Sequence, residues 1–264
     1  MTRCAVLGSP IAHSLSPALH RAAYDALGLD WTYEAADVGE AGLGDFVRSR
    51  DEQWRGLSLT MPLKRAVLPL LDTLDDDVIR SGVANTVVLD SGRRQGHNTD
   101  IPGAVAAIRE RSPGALDSAT VLGGGATATS LVLALQDLGV RRIVVAARTP
   151  DKARDSMARH VSESVEYSEL ADAPLADLVA STVPSDAVAG RLLERLSAAP
   201  MVFDAIYHPW PTALAAAAEA VVVSGLDLLV HQANLQNQLF AGTDRDLVEV
   251  MRQAGEAELR RRHG

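Results

Sequence analysis

The stretch from Ala119 to Val223 restricts the fold more than any other part of this chain. Thr120-Val121-Leu122 is a short apolar run ended by Gly123-Gly124-Gly125, and a helical pattern follows from about Ala126 to Leu138. Ile143 to Ala147 is the next apolar run and Asp151 to His160 the next helix. Leu178-Val179-Ala180, Met201-Val202-Phe203 and Val221-Val222-Val223 supply further strands, with a helix over Ala213 to Ala220 before the last. Strands alternating with helices imply crossovers that lie over a parallel sheet and cover both its faces. Gly123, Gly124, Gly125, Ala126, Thr127 and Ala128 fit G-x-G-x-x-A at a strand-to-helix turn. There glycine lets the backbone approach a pyrophosphate seated on the helix N-terminus. A plain structural turn is the competing reading of a glycine triplet; the strand and helix around it favour a dinucleotide.

The end of the following strand reads the adenosine ribose in such folds, and an acidic residue there indicates NAD. This chain has Ala147-Arg148-Thr149, with Lys152 one turn on. A guanidinium, a hydroxyl and an ammonium suit the 2′-phosphate of NADP. Cations at a helix start oppose the dipole unless an anion joins them, so a merely solvated basic face is the weaker reading.

The first hundred residues also alternate. Cys4 to Leu7, Trp31 to Ala35 and Gly56 to Thr60 read as strands, and Gly39 to Arg50 and Arg65 to Leu71 as helices. Thr86 to Leu89 with Asp90-Ser91-Gly92 reads as a hairpin. Ser16-Pro17 opens a helix to Leu27 with Ser16 as the expected N-cap. A helix from Pro102 to Arg111 is broken by Ser112-Pro113-Gly114, the expected domain boundary. Two last helices, Asp227 to Phe240 and Asp244 to Arg262, have no strand to cover and are expected to return to the first domain. The expected fold class is therefore α/β with two domains: residues 1–101 plus 225–264 bind substrate, and 102–224 form a Rossmann-like, doubly wound NADP domain.

Composition removes several classes of function. A net charge of −9 disfavours nucleic acid. One cysteine, Cys4, excludes an internal disulfide, and the histidines show no paired ligand spacing, so no metal is expected. No segment reads as a signal peptide or membrane span, and a cytoplasmic protein without membrane partners is expected.

Of 25 basic residues only Lys64 and Lys152 are lysines. Arginine stays charged at any working pH, whereas lysine can exchange a proton. Lys64 closes Thr60-Met61-Pro62-Leu63-Lys64, and Asp100 closes Asn98-Thr99-Asp100. Reducing a carbonyl takes a hydride and a proton; an ammonium beside the oxygen supplies proton and positive field, and a carboxylate can hold the ammonium. Ser14 and Ser16 set two hydroxyls before a helix, a place for a carboxylate, although an ordinary cap explains one of them. Asn85-Thr86 and Asn98-Thr99 put further polar groups at turns, where turn chemistry is the plainer account.

Taken in order, these segments resemble the shikimate dehydrogenase family over nearly the full length. Gly82-Val83-Ala84-Asn85-Thr86, Tyr207 to Leu214 and Gly225 to Gln232 complete the set. The resemblance implies NADP(H)-dependent reduction of 3-dehydroshikimate to shikimate, a step towards aromatic amino acids; a monomer and a homodimer both stay open. It implies that Ser14 and Ser16 hold the substrate carboxylate, and that Thr60, Asn85, Asp100 and Gln232 hold its hydroxyls, with Tyr207 near the same pocket. Lys64 becomes the proton-transfer residue with Asp100 its partner. Gly123 to Ala128 take the pyrophosphate, Arg148, Thr149 and Lys152 the 2′-phosphate, and Thr182 and Gly225 lie with the cofactor. Three segments depart from the family: Ser58 and Ala147 stand where asparagine is common, and Ala180-Ser181-Thr182 where Asn-Ala-Thr is. Quinate as a second substrate, use of NAD, and a non-catalytic sensor of NADP or a shikimate-like metabolite remain as alternatives; the sensor is disfavoured by the presence of both Lys64 and Asp100.

Overall fold

The computed structural model describes residues 1–112 and 114–263, the last in backbone only, so Pro113 of the expected boundary lies outside the described residues. The chain divides into two units, Met1–Thr99 with Leu229–Gly264, and Asp100–Leu228.

The first unit holds β1 (Thr2–Gly8), α1 (Ser16–Leu27), β2 (Trp31–Asp37), α2 (Glu40–Arg48), β3 (Trp54–Leu59), α3 (Leu63–Ala66), β4 (Thr73–Leu74), α4 (Asp76–Ser81), β5 (Thr86–Asp90) and β6 (Arg93–His97). Its sheet has the order β2-β1-β3-β5-β6-β4. β1 pairs in parallel with β2 and β3, while β5 runs antiparallel to both β3 and β6. β3 is therefore central, and after its C-terminal end come Thr60 in a turn and Lys64 on α3. The expected helix over Arg65 to Leu71 is shorter: Pro69 has no N–H to donate, and α3 gives way to a 3₁₀ turn over Leu68–Leu70.

The second unit begins at α5 (Asp100–Arg111) and continues through β7 (Ser118–Leu122), α6 (Ala126–Asp137), β8 (Arg142–Ala147), α7 (Pro150–Met157), β9 (Glu166–Glu169), β10 (Leu178–Ser181), α8 (Gly190–Leu196), β11 (Met201–Asp204), α9 (Ala213–Ala217) and β12 (Val221–Val223). All six strands are parallel in the order β12-β11-β10-β7-β8-β9. That is the doubly wound arrangement, with the strand order reversing between β7 and β10. Its core is aliphatic: Ala104, Val121, Leu131, Val132 and Val145 are among the buried residues of one cluster.

α10 (Gly225–Ala241) contains the division between the units, and α11 (Val248–His263) packs against α1. The second of these begins later than expected, at Val248, whose N–H donates to Asp246 at 3.0 Å in a turn ahead of the helix. Among the described residues no helix is long and apolar enough to cross a membrane.

Candidate active site and cofactor cradle

The cradle is built at the point where the strand order of the second unit reverses. The Gly123 N–H donates to the Ala146 carbonyl at 2.9 Å, tying the turn after β7 to β8. Gly123 has a φ of 112°, and a Cβ there would strike the Thr182 hydroxyl. Thr182 itself follows β10 and donates through its hydroxyl to the Leu122 carbonyl at 2.7 Å. A Cβ on Gly124 would lie 2.7 Å from that of Ala153 on α7. Gly123 therefore requires glycine for backbone shape and for close approach, and Gly124 for close approach alone. Gly125 is the N-cap of α6, and no side chain caps that helix. Its first N–H groups are donors for an anion. Ala126 and Thr127 are partly exposed beside it, whereas Ala128 is buried in the core. The third small residue of the motif thus serves helix–sheet packing.

Arg148 and Thr149 follow β8 and are exposed, and Lys152 is exposed in the first turn of α7. Thr149 is the N-cap of α7 and makes no side-chain cap bond. Neither Arg148 nor Lys152 makes an ion pair among the described residues, whereas Arg154 pairs with Asp151 at 3.1 Å and lies over the Tyr167 ring. Tyr207 sits on the loop after β11. That loop is organised by Asp204, a residue the sequence reading did not single out. Asp204 accepts from the Ile206 N–H at 3.0 Å and from the Thr212 hydroxyl at 2.5 Å. Burial raises its carboxyl pKa, and these two donors oppose the rise. Gly225 opens α10, where Asp227 accepts from Ser224 and from Arg111 at 3.1 Å.

In the first unit the polar residues converge around Asn85. Its Nδ2 donates to the Thr99 hydroxyl at 2.9 Å and to the Gln232 Oε1 at 3.2 Å. Its Oδ1 accepts from the Thr99 N–H at 2.9 Å. Gln232 in turn donates to the Leu229 carbonyl at 2.8 Å. The Lys64 segment is fastened to the same place: the Lys64 carbonyl accepts from Ala84 at 2.9 Å, and the Asn85 carbonyl accepts from Leu59 at 2.7 Å. Thr60, between them, donates its N–H to Leu7 and starts α3 by accepting from Leu63. Asp100 is buried at the head of α5, one residue after Thr99.

Ser16 is not the N-cap of α1. It is the first helical residue, Leu15 occupies the cap position, and the buried Ser14 hydroxyl accepts from the Ser16 N–H at 3.3 Å. The chain has already turned at Ser14, whose N–H donates to Ile11, so the helix starts one residue earlier than Pro17 suggests. No group of three or more His, Cys, Asp or Glu side chains suited to a metal occurs among the described residues.

A family model described as the shikimate dehydrogenase substrate binding domain matches residues 6–87. A relative from Citrifermentans bemidjiense, named shikimate dehydrogenase (NADP(+)), is 35% identical over 90% of this chain and 89% of its own length. The crystal structure of Mycobacterium tuberculosis shikimate dehydrogenase superposes with a TM-score of 0.87 at 38% identity, covering 97% of this chain and 100% of the other. The Thermus thermophilus shikimate 5-dehydrogenase, solved in complex with NADP(H) and shikimate, superposes with a TM-score of 0.85 at 32% identity, over 97% and 99% of the two chains.

Proposed function

The chain belongs to the shikimate dehydrogenase family, and we propose that its own residues carry the reaction as follows. It is an NADP-dependent oxidoreductase that interconverts shikimate and 3-dehydroshikimate at a CH–OH group. The observation that carries the substrate assignment is the set of buried amides and hydroxyls around Asn85 and Gln232, joined through backbone bonds to the Thr60–Lys64 segment. Such a set suits a small molecule bearing several hydroxyls, because a site built to bond each hydroxyl rejects analogues that lack one.

The cradle fits NADP(H) on this chain's own geometry: a glycine turn that a Cβ would block, an uncapped helix N-terminus, and two exposed cations that make no ion pair among the described residues. When bound, the cofactor supplies the hydride or accepts it. Gly123 to Thr127 hold the pyrophosphate, with Ala128 packing behind them, and Arg148, Thr149 and Lys152 hold the 2′-phosphate. Thr182 and Gly225 border the cofactor. Ser14 and Ser16 bind the substrate carboxylate; Thr60, Asn85, Asp100 and Gln232 orient its hydroxyls, with Tyr207 beside them. Lys64 gives a proton to the developing alkoxide during reduction and takes it back during oxidation, and Asp100 holds the ammonium in place. The substrate domain is formed by the first unit and the cofactor domain by the second. A cytoplasmic monomer or homodimer belongs to the same reading.

Absorbance at 340 nm with shikimate and NADP or NAD in parallel tests the proposal. Fast reduction of NADP, slow reduction of NAD and weak turnover of quinate are expected. Folded protein without turnover on either cofactor would overturn the reading and favour the metabolite sensor.

A further inference from the structure

Beneath Asn85 lies a run of buried hydrogen bonds whose direction is set by the backbone groups at its end. It starts at Tyr33, which is fully buried and stacked on His20 with ring centroids 4.1 Å apart. The Tyr33 hydroxyl donates to Ser58 at 2.6 Å, and the Ser58 hydroxyl donates to the Gln236 Oε1 at 2.8 Å. His20 Nε2 also lies 3.3 Å from that oxygen. The other end of the Gln236 amide donates to the Asn85 carbonyl at 3.2 Å and to the Thr86 hydroxyl at 2.9 Å. Thr86 then donates to the Asn85 Oδ1 at 2.8 Å.

Backbone groups set the polarity, since a carbonyl only accepts and an N–H only donates. The Asn85 carbonyl requires the NH₂ end of Gln236 to face it, which leaves Oε1 for Ser58 and makes His20 Nε2 a donor. Thr86 is the one link with a choice, because a hydroxyl can give or take. Filled from one side by the Gln236 NH₂, it turns its proton onto the Asn85 Oδ1, and the Asn85 NH₂ is left to face Thr99 and Gln232. Without that supply Thr86 is no longer obliged to donate to the Asn85 Oδ1, which keeps only its Thr99 donors, and the amide is held less firmly with its NH₂ toward Gln232. Gln236 also shares the Asn85 carbonyl with the Leu59 N–H, so it clamps the Asn85 backbone to the end of β3, next to Thr60. Gln232 and Gln236 are four residues apart on α10 and share one helix face.

We infer that Gln236 is a positioning residue for substrate recognition, acting on Asn85 both through its carbonyl and through Thr86. The inference rests on the reading of Asn85 and Gln232 as partners of substrate hydroxyls, and deepens it: specificity for those hydroxyls is set one layer behind the residues that touch them.

The test is steady-state kinetics of Gln236→Met, which keeps side-chain length and removes the donor. The shikimate KM is expected to rise ~10-fold or more, the scale of one misplaced hydrogen-bonding group. The KM for NADP should stay within about 2-fold and kcat within a few-fold, the pattern of lost ground-state binding. In an Asn85→Ala background the same change should raise the KM by clearly less than in wild type, because the route through the Asn85 side-chain amide is gone and only the backbone clamp remains. A merely structural role would lower the amount of active protein without this split. If Gln236→Met does not fold, Thr86→Val carries the same prediction with a shape-conserving change. An unaltered shikimate KM, or equal effects in both backgrounds, would overturn the positioning role while wild-type turnover leaves the family reaction standing. Absence of wild-type turnover would overturn both.

Discussion

A position that must surrender a proton cannot be filled by arginine, which keeps its charge at every working pH. Lys64, the proposed proton donor, stands in a chain otherwise rich in arginine, and its carbonyl is fastened to Ala84 beside the Asn85 group. Lys64→Ala should therefore lower kcat by ~10²-fold or more, the scale of lost acid–base catalysis, with a smaller change in the shikimate KM. Turnover surviving within a few-fold would mean the proton comes from another group. His20 offers a second test, one of stability. Burial drives its pKa from 6.5 down to about 3, with the Gln236 bond opposing the fall. The folded state therefore holds His20 neutral while the unfolded chain takes up a proton below 6.5. Between 6.5 and about 3 the unfolded state binds more protons, so this residue's contribution to stability falls as pH falls. Within that window wild type should lose about 1 kcal/mol per pH unit more than His20→Gln on acidification. Urea melts at several pH values compare the two, and equal acid sensitivity would count against a buried neutral His20.

Elements announced by a continuous apolar run were readable in the sequence, because a buried parallel strand has both faces covered. β7, β8, β10, β11 and β12 are of this kind. β9 was not legible: Glu166-Tyr167-Ser168-Glu169 is a polar edge strand, held by pairing with β8 and not by burial. β4 is only Thr73–Leu74 and α4 only Asp76–Ser81, too short to show a period, whereas α8 carries Leu192, Leu193 and Leu196 at helical spacing and was missed despite that signal. The glycine turn was legible as a motif, whereas the reason for each glycine needed the neighbours Thr182 and Ala153, which are remote in sequence. The start of α7 carries the prediction at this scale. Arg148 and Lys152 are exposed cations at a helix N-terminus, unfavourable there until an anion binds. Arg148→Asp should weaken NADP relative to NAD by roughly 10- to 100-fold, the worth of charge-assisted hydrogen bonds lost from the 2′-phosphate. Parallel titrations of the two cofactors read the ratio, and an unchanged ratio would remove Arg148 from the phosphate site.

At the scale of the molecule the two units differ in how their cores are assembled from the chain. The second is continuous: the hydrophobic clusters described within it draw only on residues between Ile101 and Leu228. The first is discontinuous, and that is why its polar interior was the least legible part of the sequence. Ser58 and Gln236 are 178 residues apart, and Asn85 and Gln232 are 147 apart, so no local period or spacing marks them as partners. The same remote segment completes the apolar core, where Phe240 is fully buried with Cys4, Val6, Tyr24 and Tyr33. Arg262 adds bonds to the His13 and Ser14 carbonyls at 2.7 and 3.0 Å. Residues 100–228 expressed alone should therefore fold cooperatively and bind NADPH, with Arg111 still paired to Asp227 within the fragment. Residues 1–99 alone should not, because they would expose the surface that Phe240 covers and leave Ser58 and Thr86 without the Gln236 amide. Circular dichroism melts of both fragments, with NADPH fluorescence for the first, make the comparison. A sharp melting transition in the 1–99 fragment would show that the C-terminal helices stabilise a fold already complete without them.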